Sequence, residues 1–250
     1  MTNTGVIDLN ADLGEGCGDD AAMLQIVTSA NIACGAHAGD AQTMRDTIQS
    51  ALQNKVAIGA HISYPDREHF GRRNVEMPDA QLRAEILDQL RALDMIAREC
   101  GTRVRYVKPH GALYNRMADD ADVADLVIGA IRQFDPNLML LTLPDCMAMR
   151  CAKHAGLRAV AEAFADRSYT ATGRLLPRDR PGAVITDSAT VSRRGVDIAV
   201  NGTVRSADGK NVSVVARSLC VHGDTPDAVK LARALRVALE QAGLQIAAFT

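Results

Sequence analysis

Residues 104–115 read VRYVKPHGALYN. Val104, Tyr106 and Val107 are strand formers, and the run they begin is short and apolar. It ends in Lys108, Pro109, His110 and Gly111, residues that a buried strand disfavours. The chain holds only five lysines, so one at the end of an apolar strand, beside a histidine, marks that strand end as a place for chemistry.

The pattern recurs on both sides. VIDLNAD (6–12) closes on Asn10 and Asp12, with Glu15 just beyond in the Gly-rich loop LGEGCGDD. ANIACG (30–35) leads into His37 and Asp40, and VAIGAHIS (56–63) carries His61, with Asp66 after it. LRAVAEAFADR (157–167) ends in Glu162 and Asp166; VSVVARSLCVHGD (212–224) reads as the last strand and ends in His222 and Asp224. NLMLLTL (137–143) is one more apolar strand. Helical stretches lie between them: near 19–29, over 40–55, from Pro78 to Gly101, near 119–133, up to Gly156, and over 225–243. Only the stretch from the Gly/Pro/Arg-rich loop TGRLLPRDRPGAVI to about residue 210 has no clear pattern.

Strands alternating with helices across short connections imply parallel strands and crossover helices. The expected fold is therefore α/β, a distorted (β/α) TIM-like barrel of seven or eight parallel strands, with residues 1–250 as one domain. An open doubly wound sheet is the alternative. In a barrel the C-terminal strand ends converge on one face, and polar groups there read as catalytic.

Composition narrows the function classes. A net charge of -2 gives no electrostatic footprint for nucleic acid or an anionic membrane. No apolar run approaches the roughly 20 residues of a bilayer span. The start, MTNTGVIDLN, lacks the basic and apolar regions of a signal peptide, and the six cysteines include no C-x-x-C pair; both point to a cytoplasmic protein with reduced thiols. Nucleotide-binding motifs of the G-x-x-x-x-G-K-[ST] and G-x-G-x-x-G kinds are absent, as is the G-x-S-x-G elbow of serine hydrolases. GEGCG could form a phosphate nest, but its own carboxylates oppose phosphate unless a cation intervenes. Asp19 and Asp20 read as caps of the first helix, and His69 and His154 are assigned no role.

The expected catalytic set is Asp12, His37, His61, Lys108 and His110. Asp12, His37, His61 and His110 have the ligand types of a catalytic metal site, and could equally act as acid and base without metal. As an ammonium Lys108 would stabilise an oxyanion or carboxylate; with a depressed pKa it could form a Schiff base. Asn10, Glu15, Asp40, Glu162 and His222 are expected to contact substrate. Arg72, Arg73, Arg174 and Arg178 sit in loops where they could clamp a carboxylate. Cys34 and Cys220 are possible nucleophiles, although a buried thiol is the plainer reading. The residues alone point to an enzyme acting on a small, polar, anionic molecule.

At these residues the sequence resembles the LamB/YcsF family. The blocks DLNADLGEG, ANIACGAHAGD, GAHISYPDREHFGRR, VKPHGALYN, AEAFADRSY, GRLLPR and CVHGD carry the resemblance, in order, from about residue 6 to residue 224. It implies a distorted (β/α) barrel related to those of glycoside hydrolases and polysaccharide deacetylases. It also implies one subunit of an ATP-dependent 5-oxoprolinase, opening 5-oxo-L-proline to L-glutamate with subunits B and C. ATP with Mg2+ is then co-substrate of the complex. Ala11, Ala36 and Ile62 depart from the Cys, Phe and Pro common in the family; none removes a proposed catalytic group. A free-standing metal-dependent hydrolase or deacetylase, and a non-catalytic scaffolding subunit, are the competing readings. Replacing Lys108 with Met is expected to abolish turnover and leave the fold intact.

Overall fold

The structure is a computed structural model that describes residues 5–223 and 227–250. Asp224 lies outside the described residues. In chain order the elements are β1 (Val6–Leu13), α1 (Asp20–Leu24), β2 (Ser29–Ala33), α2 (Ala41–Gln53), β3 (Ala57–Ile62), α3 (Asp79–Glu99), β4 (Tyr106–Pro109), α4 (Gly111–Asp119), α5 (Ala121–Phe134), β5 (Met139–Thr142), α6 (Met147–His154), β6 (Ala159–Phe164), α7 (Ser188–Val196), β7 (Thr203–Arg205), β8 (Asn211–Ser213), β9 (Ser218–Cys220), α8 (Ala228–Gln241) and β10 (Gln245–Ile246).

Strands β1 to β6 pair in order, all parallel, and β9 closes the ring by bonding both β6 and β1. The result is a closed seven-stranded barrel wrapped by helices. Between barrel and helices lies a large apolar core, in which Leu9, Ile32, Ile58, Ile48, Leu90, Val127 and Leu235 are buried. The amphipathic periods of α2, α3, α5 and α8 supply its outer wall.

The barrel interior is different. Its lower end holds a small apolar plug of Tyr106, Met139 and Leu141, with Phe249 against the Tyr106 ring at 4.9 Å. Tyr106 fits inside because residue 59 is glycine: a Cβ there would lie 2.2 Å from its ring. The terminal strand β10 lies beside the start of β1 at the same end. Above the plug the interior is lined by Asp8, Asn10, Asp12, Asn31, His61, Lys108 and Glu162, all buried.

Three elements differ from the sequence reading. The expected strand over 212–224 is two pieces: β8 pairs antiparallel with β7, and only β9 enters the barrel. Val212 is a strand former in either setting, so the partner and not the propensity decides. The region before residue 210 holds α7, a π-helical turn (Asp197–Asn201) and that hairpin. Helix α4 begins directly after His110 on a glycine, a poor helix former that hides the start.

Candidate active site

The polar interior rises in steps from the plug to the C-terminal mouth. At the base, the Asp8 carboxylate accepts from Thr28 Oγ1 at 2.7 Å, Ser29 Oγ at 2.6 Å and the Ser218 hydroxyl. Burial nonetheless pushes Asp8 up to about 6. One step higher, Asn10 donates to Ser218 Oγ at 2.6 Å and accepts from Asn31 Nδ2 at 2.7 Å; Tyr106 donates to Asn31 Oδ1 at 2.7 Å.

Lys108 occupies the next step. Its Nζ lies 2.9 Å from Asp12 Oδ1, 3.2 Å from Glu162 Oε2, 3.2 Å from Cys220 Sγ and 3.4 Å from Asn10 Oδ1. Burial favours the neutral amine, but the Asp12 carboxylate, with Cys220 and Glu162, holds the pKa well above the usual lysine range. This direction favours the ammonium over the Schiff-base alternative. Burial also opposes charge on Asp12, and His61 and Lys108 overrule it, so this carboxyl lies well below its ordinary range. Burial raises Glu162, against which the Lys108 ammonium and the Tyr114 hydroxyl both act; neither Glu162 Oε1 nor the Tyr114 oxygen makes a well-formed hydrogen bond among the described residues.

Beside this group stand three histidines and Glu15. His61 faces Lys108 across the β3–β4 ladder, and its Nδ1 lies 3.0 Å from the Lys108 carbonyl. His110 Nε2 lies 2.9 Å from the Phe70 carbonyl. Phe70 holds a left-handed backbone at φ 56°, a strain tolerated here where it aims that carbonyl. His37 Nδ1 lies 2.9 Å from Ser63 Oγ, whose own proton goes to the Tyr64 carbonyl. Gln89 of α3 grips the Ser63 backbone from both sides, at 2.8 and 2.9 Å, so a helix outside the barrel sets the His37 ring. Burial, then His61, brings His37 down to about 3, and the same two causes put His110 well below the usual range. Burial works against charge on His61 too, but Asp12 outweighs it and the pKa is raised.

Across the mouth, Asp166 accepts from the His222 backbone N–H at 3.0 Å and sits 2.9 Å from His222 Nδ1. Burial opposes the Asp166 carboxylate, yet the His222 ring holds it below its ordinary pKa. This fixes one tautomer of His222, with Nε2 turned from Asp166 and making no hydrogen bond among the described residues, while the ring stacks on Phe164 at 5.3 Å. A histidine oriented by a buried carboxylate is the arrangement of a general base.

All three groups meet one cavity of about 550 Å3, lined among others by Asp12, His61, Lys108, His110, Tyr114 and His222. Arg72, Arg174 and Arg178 line its rim, with Arg174 Nε also 2.8 Å from Asp119 Oδ1. Arg167, unforeseen in the sequence, is buried below the rim and ties the 176–183 loop through the Leu176 and Ala183 carbonyls.

Several expected site residues are placed elsewhere. Asp40 caps α2, accepting from the Thr43 N–H at 2.8 Å, and is not part of the cavity lining. Arg73 is exposed and outside that lining; its backbone N–H serves Asp66. Asn10 lies under Lys108 as a support. Gly111 borders the cavity and also packs tightly on backbone, where a Cβ would meet the Gly71 carbonyl oxygen. In the GEGCG loop Asp20 takes the Gly14 N–H at 2.8 Å and Glu15 turns inward to the histidines. Asp19 caps α1 as expected. Burial pushes the Cys34 thiol up to about 12 and Cys220 well above its ordinary range, so neither is a thiolate nucleophile. Tyr114, Ser63 and Phe70 went unnoticed; the first two sit inside YN and HISY, where nothing local marks them.

Comparison with known proteins adds to this geometry. Residues 7–250 match the LamB/YcsF family. The chain belongs to that family. This LamB/YcsF chain is 51% identical to a protein from Streptomyces avermitilis named as the 5-oxoprolinase A-subunit, over 98% of this chain and 100% of that one. It is 40% identical to the solved lactam utilization protein of Thermus thermophilus, with a TM-score of 0.91 over 97% of this chain and 99% of the other. A T48 deacetylase shares the fold alone, at 13% identity and a TM-score of 0.51 over 98% of this chain and 87% of that one. No described helix of this LamB/YcsF protein is long and apolar enough to cross a membrane.

Proposed function

We propose that this protein is a 5-oxoprolinase A-subunit, a barrel of residues 1–250 that hydrolyses the lactam bond of 5-oxo-L-proline to give L-glutamate. ATP with Mg2+ is co-substrate of the assembly, and subunits B and C are its partners. The carrying observation is the shared cavity, where Lys108, Asp12 and the His222–Asp166 pair converge in a chain half identical to proteins of that name.

In this reading His222 Nε2 takes a proton from the attacking water as the C–O bond to the lactam carbonyl forms, and later returns it to the ring nitrogen as the C–N bond breaks. The Lys108 ammonium offsets the charge that develops on oxygen. Arg72, Arg174 and Arg178 hold the substrate carboxylate, or a phosphoryl group on an activated lactam. A five-membered lactam is a stable amide, and phosphorylation of its oxygen by ATP, which leaves as ADP, makes attack by water easier; ring opening then gives an acyl phosphate, and a second water releases glutamate and phosphate. Asp12, His37, His61, Lys108 and His110 are the proposed core of the site, joined by Glu15, Glu162 and His222.

The test is glutamate release from 5-oxoproline with ATP and Mg2+, for this chain alone, for the two partner subunits alone, and for all three. Glutamate only from the full mixture is expected. None from a folded, associated mixture sinks the lactam reading and favours a free-standing hydrolase, to be sought with acetylated sugars.

A further inference from the structure

The hydrogen bonds around Glu15, His37, His61 and His110 leave a specific deficit. A carbonyl oxygen only accepts, so the N–H of His61 is on Nδ1, facing the Lys108 carbonyl, and that of His110 is on Nε2, facing the Phe70 carbonyl. Ser63 spends its proton on the Tyr64 carbonyl, so it accepts from His37 Nδ1–H. Each imidazole therefore turns its bare nitrogen the other way. Those nitrogens face one another and a carboxylate: His61 Nε2 is 2.9 Å from His110 Nδ1, and Glu15 Oε1 is 3.0 Å from His37 Nε2, 3.5 Å from His110 Nδ1 and 3.7 Å from His61 Nε2. Four ligand atoms, all within 4.8 Å of one another and nearly all buried, are brought together with at most one proton among them, the one His61 Nε2 can share with Asp12.

A single proton does not repair this. Placed on His61 Nε2 it satisfies His110 and leaves His37 against Glu15, acceptor to acceptor. One divalent cation satisfies all four. With metal–ligand bonds of about 2.0–2.1 Å, tetrahedral donors stand about 3.3 Å apart; of the six separations among these donors, four are 2.9 to 3.7 Å and bracket that spacing, and the other two are within 4.8 Å. The outer partners are those of built metal sites, in which each ligating histidine gives its other N–H to a carbonyl or hydroxyl that fixes the tautomer.

We infer that Glu15 Oε1, His37 Nε2, His61 Nε2 and His110 Nδ1 form a site for one divalent transition-metal ion, best suited to Zn2+. Three imidazoles and one carboxylate suit zinc among such ions and disfavour Mg2+ or Ca2+, which take oxygen. The ligand set differs from the one expected from sequence: Glu15 replaces Asp12, which is engaged by Lys108 and lies 3.4 Å from His61 Nε2 as a neighbour of the ion. His61 and His110 line the cavity, so the ion borders the space where substrate binds. His37 and His110 stack face to face at 3.9 Å, so their rings open from parallel when both bind in plane. The inference does not depend on the lactam reading: the site binds metal whatever the cavity turns over.

The test is metal content and binding, read without activity. Protein dialysed against chelator and then metal-free buffer is titrated with Zn2+, following bound ion by mass spectrometry and Tm by calorimetry. One Zn2+ per chain and a raised Tm are expected. Glu15→Gln removes a ligand and keeps its shape; Ser63→Ala leaves all four ligands and loosens only the His37 ring. Each is expected to weaken Zn2+ binding by about 10–100-fold. Co2+ in place of zinc should give a tetrahedral visible spectrum that Glu15→Gln alters. No stoichiometric ion, an unmoved Tm, and imidazole 15N shifts showing protons on His61 Nε2 or His110 Nδ1 would overturn the site in favour of a proton-held cluster. Those shifts are read on the wild-type chain, so the outcome does not hinge on a variant that folds poorly.

Discussion

Two groups of buried polar side chains stand next to each other at the mouth of this barrel, and they are completed differently. Around Lys108 the signs alternate: one ammonium lies among Asp12, Glu162 and Asn10. Around Glu15 they do not: three imidazole nitrogens and a carboxylate oxygen gather within 4.8 Å of one another. The two groups touch where His61 meets Asp12 at 3.4 Å. In the first group the Lys108 ammonium offsets part of the cost of burying two carboxylates, and Glu162 Oε1 keeps no well-formed hydrogen bond among the described residues. The second is the group for which we infer an added cation. The contrast is between a group that carries its own counter-charge and one whose counter-charge would come from outside.

Breaking the first group has the largest effect. Lys108→Met strands the Asp12 and Glu162 carboxylates, so stability falls by about 3–5 kcal/mol, measured by urea denaturation, and glutamate release by the assembly is lost. The sequence alone leads to the expectation of an intact fold, and the urea midpoint decides between the two. Adding Glu162→Gln to Lys108→Met should restore part of the stability and none of the turnover; full stability in the single variant would mean that the group is not held by charge.

The His222–Asp166 pair sharpens the comparison, since it supplies a base outside both groups. Asp166→Asn should lower kcat/KM by about 10²–10⁴-fold, because the imidazole loses the carboxylate that fixes its tautomer. An unchanged kcat/KM would move the base into the histidine cluster.

Asp8, at the foot of the barrel, tests self-completion by hydroxyls alone. Its pKa is raised to about 6 from an ordinary 3.8. The folded chain therefore binds a proton that the unfolded chain releases between those values. This contribution to stability is full below pH ~4 and is lost as pH rises through about 6, on the order of 3 kcal/mol. In Asp8→Asn that slope should vanish, seen as a wild-type-minus-variant stability difference that changes between pH 4 and 7. A pH-independent difference would show that the three hydroxyls keep Asp8 ionised. Smallest is Asp40→Ala, outside every group: about 1 kcal/mol lost with its helix cap, and turnover unchanged.

Much of this was legible along the chain. His61, Lys108, His110 and Asp12 stood out because charged and aromatic-ring residues ending apolar strands violate the local pattern, and their convergence follows from parallel strands alone. Asp40 misled because a carboxylate three residues before Thr43 looks the same whether it caps a helix or awaits a substrate. Glu15 was visible only as a loop acid whose partners are 22, 46 and 95 residues away.

The sequence by itself determined the alternation of strand and helix, the parallel pairing and the side of the barrel on which chemistry collects, because hydrophobic period and strand-end composition are local properties. Only the tertiary structure decided that seven strands close the ring, that β9 and not β8 completes it, and which imidazole nitrogen each histidine presents. Those depend on register and on carbonyls and hydroxyls from distant segments, such as Phe70, Lys108 and Ser63, and a backbone oxygen has no letter in a sequence.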